Sequence, residues 1–172
     1  MNIHVELSSA VEQIPTLQSI QNRAGILFRE AGMDDVAENP PTECAVFKKA
    51  IHDELLYTAS IDGQVVGFAL SLNHGKTCHL EQMSVDPSFG RRGVGASLVD
   101  YLIADAKTRG YQTISLSTFF SLPWNAPFYA KLGFDVVNTS DLTNPMLEVQ
   151  IEESEAGLDM NDRVIMILEL NP

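Results

Sequence analysis

Positive charge is scarce in this chain. Its 172 residues carry 11 Lys and Arg against 23 Asp and Glu, a net charge of −12. So acidic a surface repels phosphate backbones and anionic headgroups, which argues against nucleic acid or a membrane as the main partner. It suits a cationic or neutral one. Cysteine is nearly absent: Cys44 and Cys78 are the only two. Both fall in apolar stretches and read as core residues, no disulfide framework is expected, and a reducing compartment fits. No apolar run approaches the about 18 residues of a membrane-spanning helix, and the opening MNIHVELSSA has no basic segment before an apolar one. The expected location is the cytoplasm. Repeats, low-complexity tracts and linker-like segments are missing, so a single domain over residues 1–172 is expected. His4, His52 and His74 are scattered without ligand spacing, and no metal site is expected.

What is present is a regular succession of short elements. Ile3, Val5 and Leu7 alternate with polar residues as in a strand. Ser9 and Glu12 have the spacing of a capping box. The helix they open carries Pro15 near its start, where it can split off the first turn, and runs through Ile20, Ala24 and Leu27 to Gly32. The segment MDDVAENPPT reads as a loop, with Thr42 as N-cap of a helix ending near Ile51. Leu55–Ile61 and Gln64–Leu72 are apolar runs joined by Asp62-Gly63, a strong hairpin signal. Thr77–Val85 is a further strand. Val94, Leu98, Tyr101, Leu102 and Ala106 line one side of a helix that stops at Gly110. Thr113–Thr118 is β-prone, PWNAPFYAKLGF a loop and short helix closed by Gly133, and Phe134–Val137 a strand start. Asp141–Asp162 is acidic and partly helical, and Val164–Leu170 is a last strand. The order implies a mixed α/β domain with much antiparallel pairing.

The most informative stretch is Val85–Leu98, VDPSFGRRGVGASL. A strand ends, Asp-Pro turns the chain, and a glycine-rich loop with two adjacent arginines enters a helix. Backbone N–H groups freed at a helix start make an anion site, and phosphate is the usual anion. A P-loop needs Gly-Lys-Ser/Thr, but Ala96-Ser97 follows Gly95. A dinucleotide-binding fingerprint needs Gly or Ala where Leu98 stands. The remaining form is Arg/Gln-x-x-Gly-x-Gly/Ala, with Gly93 and Gly95 at its glycines.

The segment LEQMSVDPSFGRRGVGASLVDYL resembles the fourth strand, pyrophosphate loop and following helix of the GCN5-related N-acetyltransferase (GNAT) superfamily. WNAPFYAKLGF resembles that family's second signature, a Tyr followed by Gly-Phe, and the element order matches over almost the whole chain. One departure is Gly90, where the family often has Gln or Arg; Arg91 and Arg92 follow at once. The resemblance implies a central, mostly antiparallel, twisted sheet of six to seven strands flanked by about four helices. It implies acetyl-CoA (coenzyme A) as donor and a primary amine of a small molecule or peptide as acceptor. Homodimers are common among proteins of this kind. A member that binds acyl-CoA as a sensor, with little turnover, stays open as an alternative.

Direct transfer poses two proton problems. A lysine-like amine is neutral in only about one molecule in a few thousand at pH 7, so a base must take its proton, and the departing thiolate is helped by receiving one. The resemblance puts Tyr129 near the sulfur as acid; a phenol stays protonated at pH 7. It puts the base on the fourth strand, at Glu81 or His79, two positions that share strand parity. Glu81 is preferred, acting through water. The resemblance also assigns the backbone of Met83, Ser84 and Val85 to the pantetheine arm, and Arg91, Arg92, Gly93, Val94, Gly95 and Ala96 to the pyrophosphate. Asn125 is a further side chain for holding the donor. Phe28, Arg29, Glu30 and Trp124 are the candidates for the acceptor pocket.

Overall fold

A computed structural model describes residues 2–170. Its strands are β1 (Ile3–Leu7), β2 (Leu56–Ile61), β3 (Gln64–His74), β4 (Thr77–Val85), β5 (Thr113–Phe119), β6 (Asp135–Val136) and β7 (Arg163–Glu169). Its helices are α1 (Ile14–Ala24), α2 (Ile26–Glu30), α3 (Asp34–Ala37), α4 (Cys44–His52), α5 (Val94–Thr108), α6 (Ala126–Lys131) and α7 (Asn144–Glu155). Hydrogen bonding orders the strands β1-β2-β3-β4-β5-β7-β6. The β4–β5 pair is parallel, whereas β1–β2, β2–β3, β5–β7 and β6–β7 are antiparallel. The mixed α/β class and mostly antiparallel sheet agree with expectation. The expected helices are α4, α5, the short α6, α7 and a first helix to Gly32, which the structure divides at Gly25 into α1 and α2; α3 is additional. The chain divides into two compact units: one runs to Leu72 and adds Glu81–Asp105, the other joins Asn73–Leu80 to everything from Ala106.

In the first unit, strand alternation separates two faces. Leu56, Phe68 and Leu70 bury against Ile14, Leu17 and Ile20 of α1 and Phe47 and Ala50 of α4, with the Phe47 and Phe68 rings 5.3 Å apart. Tyr57, of opposite parity to Leu56, meets α5 instead: its ring lies 5.7 Å from that of Tyr101, and its hydroxyl donates to Asp105 Oδ2 at 2.9 Å. Helical periodicity accounts for α5, whose Val94, Leu98, Val99, Leu102 and Ala106 are all buried.

Four local expectations are corrected. Ser9 and Glu12 form no capping box: Val11–Gln13 is a 3-10 turn whose N-cap, Ala10, makes no side-chain bond, and α1 begins at Ile14. Pro15 is the cause, since its ring would strike the carbonyl four residues back if regular helix extended through Val11. Thr42 is not the N-cap of α4; Glu43 is. Thr42 is instead tied to α1, its N–H donating to Gln21 Oε1 at 3.0 Å and its carbonyl accepting from Gln18 Nε2 at 2.9 Å. Part of the expected loop after Gly32 is helical, because Asp34 and Asp35 at the first turn of α3 favour its positive dipole end. Cys44 is exposed at the start of α4, outside the core, while Cys78 is buried.

The second unit is built on β5. It runs parallel to β4 from Thr77↔Thr113 to Leu80↔Leu116, where the register stops. It pairs with β7 over its whole length, Thr113↔Glu169 to Phe119↔Arg163. Helix α7 arises within the acidic segment and buries only Met146. Its inner end is fixed by charge: Arg163 of β7 pairs with Glu153 Oε1 and Oε2, Ser117 of β5 donates to Glu153 Oε2 at 2.7 Å, and the guanidinium stacks 4.5 Å over Phe119.

Candidate active site

The glycine-rich loop is a built feature of the first unit. Asp86, 6 % exposed, anchors its start: the Asp86 N–H donates to Val66 O at 2.8 Å, and Oδ1 accepts from Ser88 N at 3.0 Å. A 3-10 turn over Pro87–Phe89 follows. Arg91 then takes φ 57 and Gly93 φ 85, and such left-handed residues turn successive amides toward one concavity. Ser97 N donates to Gly93 O at 2.9 Å, so the ladder of α5 starts there and leaves the N–H groups of Val94, Gly95 and Ala96 without i−4 partners. A Cβ added at Gly93 would meet no atom within 4 Å. Arg91 and Arg92 are both exposed, and Arg92 lies 5.3 Å over the Phe89 ring. A helix N-terminus with open amides and two cations beside it fits a pyrophosphate.

Gly67 of β3, which sequence reasoning passed over, packs behind this loop. A Cβ there would meet Ser84 O at 3.0 Å and the methyls of Val85 and Val94 at 3.3 Å. The available signal was an isolated glycine inside an apolar strand, which marks close backbone approach. Ser84 is buried and accepts from Gln82 Nε2 at 3.0 Å. Met83 and Val85, on the alternate parity, are half-buried.

In the second unit, Tyr129 lies on α6 and is 8 % exposed. Its ring meets Phe128 at 5.0 Å and Phe134 at 5.8 Å, both edge-on. Burial raises its pKa well above the ordinary phenol value of 10.0, against a smaller lowering by the Arg163 charge; the hydroxyl is protonated at neutral pH. Gly133, at φ 95, ends α6. Asn125 is the N-cap residue of α6 without a capping side-chain bond; its Oδ1 accepts from Thr118 Oγ1. Trp124 is 37 % exposed.

His79 and Glu81 differ in surroundings. His79 is 3 % exposed, its Nδ1 is 2.9 Å from Ser115 Oγ, and its ring stacks on His74 at 4.9 Å and 2°. With Thr143, Met146 and Val149 it lines a cavity of about 20 Å³, room for roughly one water and no acceptor. Glu81 is exposed. Of the acceptor-pocket candidates, Phe28 is half-buried on α2, and Arg29 and Glu30 are exposed beside it. Arg29 stands 3.7 Å from Asp34 and 3.9 Å from Glu38. Among the described residues, no group of three or more His, Cys, Asp or Glu is placed to hold a metal, and no helix is long and apolar enough to cross a membrane.

Comparison with known proteins gives a consistent picture. The model of the acetyltransferase (GNAT) family matches residues 20–134. The ribosomal protein bS18-alanine N-acetyltransferase of Salmonella typhimurium is 34 % identical over 74 residues, 43 % of this chain and 50 % of that protein. An uncharacterized N-acetyltransferase of Methanocaldococcus jannaschii is 27 % identical over 86 residues, 46 % of this chain and 38 % of that protein. The chain thus spans half or less of the curated relatives it matches. Among solved structures, the ribosomal-protein-S18-alanine N-acetyltransferase from Escherichia coli has TM-score 0.68 at 18 % identity, covering 99 % of this chain and 96 % of that one. The PaiA N-acetyltransferase from Thermoplasma acidophilum, in complex with coenzyme A, has TM-score 0.70 at 16 % identity, covering 98 % and 99 %. At these identities the solved structures establish the fold.

Proposed function

This chain belongs to the acetyltransferase (GNAT) family, and on that premise we propose that it transfers an acetyl group from acetyl-CoA directly to a primary amine of a small molecule or peptide. The observation that carries this reading is the loop from Asp86 to Ala96: a turn held by its own carboxylate, left-handed Arg91 and Gly93, and open amides at the start of α5. The amides of Gly93, Val94, Gly95 and Ala96 hold the pyrophosphate, with Arg91 and Arg92 adding charge. The backbone of Met83 and Val85 takes the pantetheine arm as a guest strand; the register of β4 with β5 ends at Leu80, before these residues. Acetyl-CoA supplies an acetyl carbon activated as a thioester.

The side chains then divide the proton work. Glu81, exposed on β4, takes a proton from the attacking amine through a water. Tyr129 keeps its proton until the carbon–sulfur bond breaks and gives it to the sulfur. His79, enclosed by Ser115, His74 and α7, is the less suited base. Asn125 helps hold the donor, and Phe28, Arg29, Glu30 and Trp124 border the acceptor. Glu30 is acidic, and Asp34 and Glu38 lie beside Arg29, which favours a cationic amine. A peptide amine is a natural candidate, since the Salmonella relative's name gives an alanine of a ribosomal protein as its acceptor.

The test is thiol release from acetyl-CoA with a panel of small amines and short peptides, including one that begins with alanine. Amine-dependent release with an acetylated product supports the reading. Saturable acetyl-CoA binding with no amine-dependent release would assign a sensor instead.

A further inference from the structure

The turn that launches the donor loop is gripped from another element. Arg23, in the last turn of α1, donates through Nε to Asp86 Oδ2 at 2.9 Å and places Nη2 2.7 Å from the same oxygen. Its third nitrogen, Nη1, donates to Ser19 Oγ at 2.9 Å, one turn earlier on α1. The guanidinium is therefore fixed at both ends, and its plane cannot swing without breaking a bond. Asp86 is shared in the same way. Oδ2 faces the arginine, Oδ1 caps the Ser88 N–H, and the backbone N–H is bound to β3.

This arrangement has a particular logic. The Asp86 side chain is 9 % exposed, whereas that of Arg23 is 50 % exposed. An exposed ion pair contributes little to global stability, yet this one holds a nearly buried carboxylate in one rotamer. That rotamer sets where Ser88, and hence the loop through Gly93, begins. Arg23 also borders an open cavity of about 350 Å³ with Asn22, Ile26, Arg29, Pro87 and Ser88, so the space beside the turn is not filled by packing.

We propose that Arg23 is a positioning residue for the donor: through Asp86 it presets the glycine-rich loop, and so couples the α1–α2 side of the first unit to acetyl-CoA binding. The inference rests on the donor reading of that loop. Arg23 acts through the carboxylate and not by its own charge on the pyrophosphate. The two modes predict opposite outcomes for Asp86→Asn. That change keeps the oxygen that caps Ser88 but frees the Arg23 charge. Direct electrostatic attraction would then tighten donor binding; positioning would weaken it.

The experiment measures acetyl-CoA KM and kcat, and acetyl-CoA affinity by calorimetry, for the wild type, Arg23→Met, Arg23→Lys, Asp86→Asn and the Arg23→Met/Asp86→Asn double variant. Positioning predicts a rise in KM of about fivefold or more in both Arg23→Met and Asp86→Asn, with kcat within about twofold, and a double variant no worse than either single. Arg23→Lys recovers part of the loss. Tighter binding in Asp86→Asn, additive losses, or unchanged KM in folded Arg23→Met each overturns the inference while leaving the donor reading intact. A wild-type protein that does not bind acetyl-CoA overturns the donor reading, and the inference with it. A merely structural role would lower the melting temperature and the active fraction without moving the donor KM, and that pattern also overturns it.

Discussion

Phe134 folds back onto Tyr129, with ring centroids 5.8 Å apart at 69°. The backbone imposes this contact. Gly133 turns left-handed, so Phe134 N reaches Tyr129 O at 3.2 Å and Gly133 N reaches Ala130 O at 3.1 Å. This is a glycine helix stop with the apolar contact that commonly accompanies it. The Tyr-x-x-x-Gly-Phe spacing is therefore a device for clamping the phenol ring. Tyr129→Phe keeps both ring contacts. It is expected to lower kcat by about 100-fold while acetyl-CoA affinity and melting temperature stay near wild type. An unchanged kcat would move the acid role elsewhere.

The same burial predicts an alkaline signature. The folded-state pKa of Tyr129 lies above its unfolded value of 10.0. Its contribution to stability is thus complete below that value, and declines as pH rises from there toward the folded pKa, because the unfolded phenol loses its proton first. Melting temperatures of wild type and Tyr129→Phe should differ little between pH 7 and about 9, and the wild type should lose more above roughly pH 10.

Asp86 predicts the acid counterpart. Burial raises its pKa, but the Ser88 N–H bond and the Arg23 guanidinium outweigh this and hold it below the usual 3.8. A depressed carboxylate contributes stability that is full above the unfolded pKa and lost as pH falls through the folded one. The stability advantage of wild type over Asp86→Asn should hold constant from about pH 5 upward and decline as pH falls below 3.8 in denaturant titrations.

The Glu153–Arg163 pair predicts a non-additive result. Both side chains are largely buried, at 15 % and 10 % exposure, so removing one strands the other's charge. Arg163→Met is expected to destabilise the protein by about 3 kcal/mol, and Arg163→Met with Glu153→Leu to recover most of that. Urea unfolding of the two single variants and the double supplies the cycle. Additive losses would show that the pair is not coupled.

Gly67 predicts a donor defect from behind the loop. Its added Cβ would press on the Ser84 carbonyl at 3.0 Å, and backbone yields less readily than a side chain. Gly67→Ala is expected to cost about 1–3 kcal/mol and to raise the acetyl-CoA KM, read from thermal melts and steady-state kinetics. A variant with unchanged stability would mean that the strand relaxes freely.

Short-range pattern carried much of this protein. Alternation marked β1, apolar runs marked β2 and β3 to within two residues, Asp62-Gly63 made their hairpin, and the spacing from Val94 to Ala106 gave the buried face of α5. These depend on neighbours a few positions away, where side-chain direction follows from backbone period alone. The loop from Val85 to Ala96 was legible for the same reason: its glycines and the helix start lie side by side in the chain. What tertiary structure decided depends on partners far apart in sequence. Arg23 and Asp86 are 63 residues apart, and neither spacing nor composition marks them as a pair. Thr42 gave up its capping role because Gln18 and Gln21 bind its backbone. His79 and Glu81 share parity on β4, yet Ser115, His74 and α7 enclose the one, and the other is exposed. Parity follows from the strand; exposure follows from what packs against it, and only the folded chain settles that.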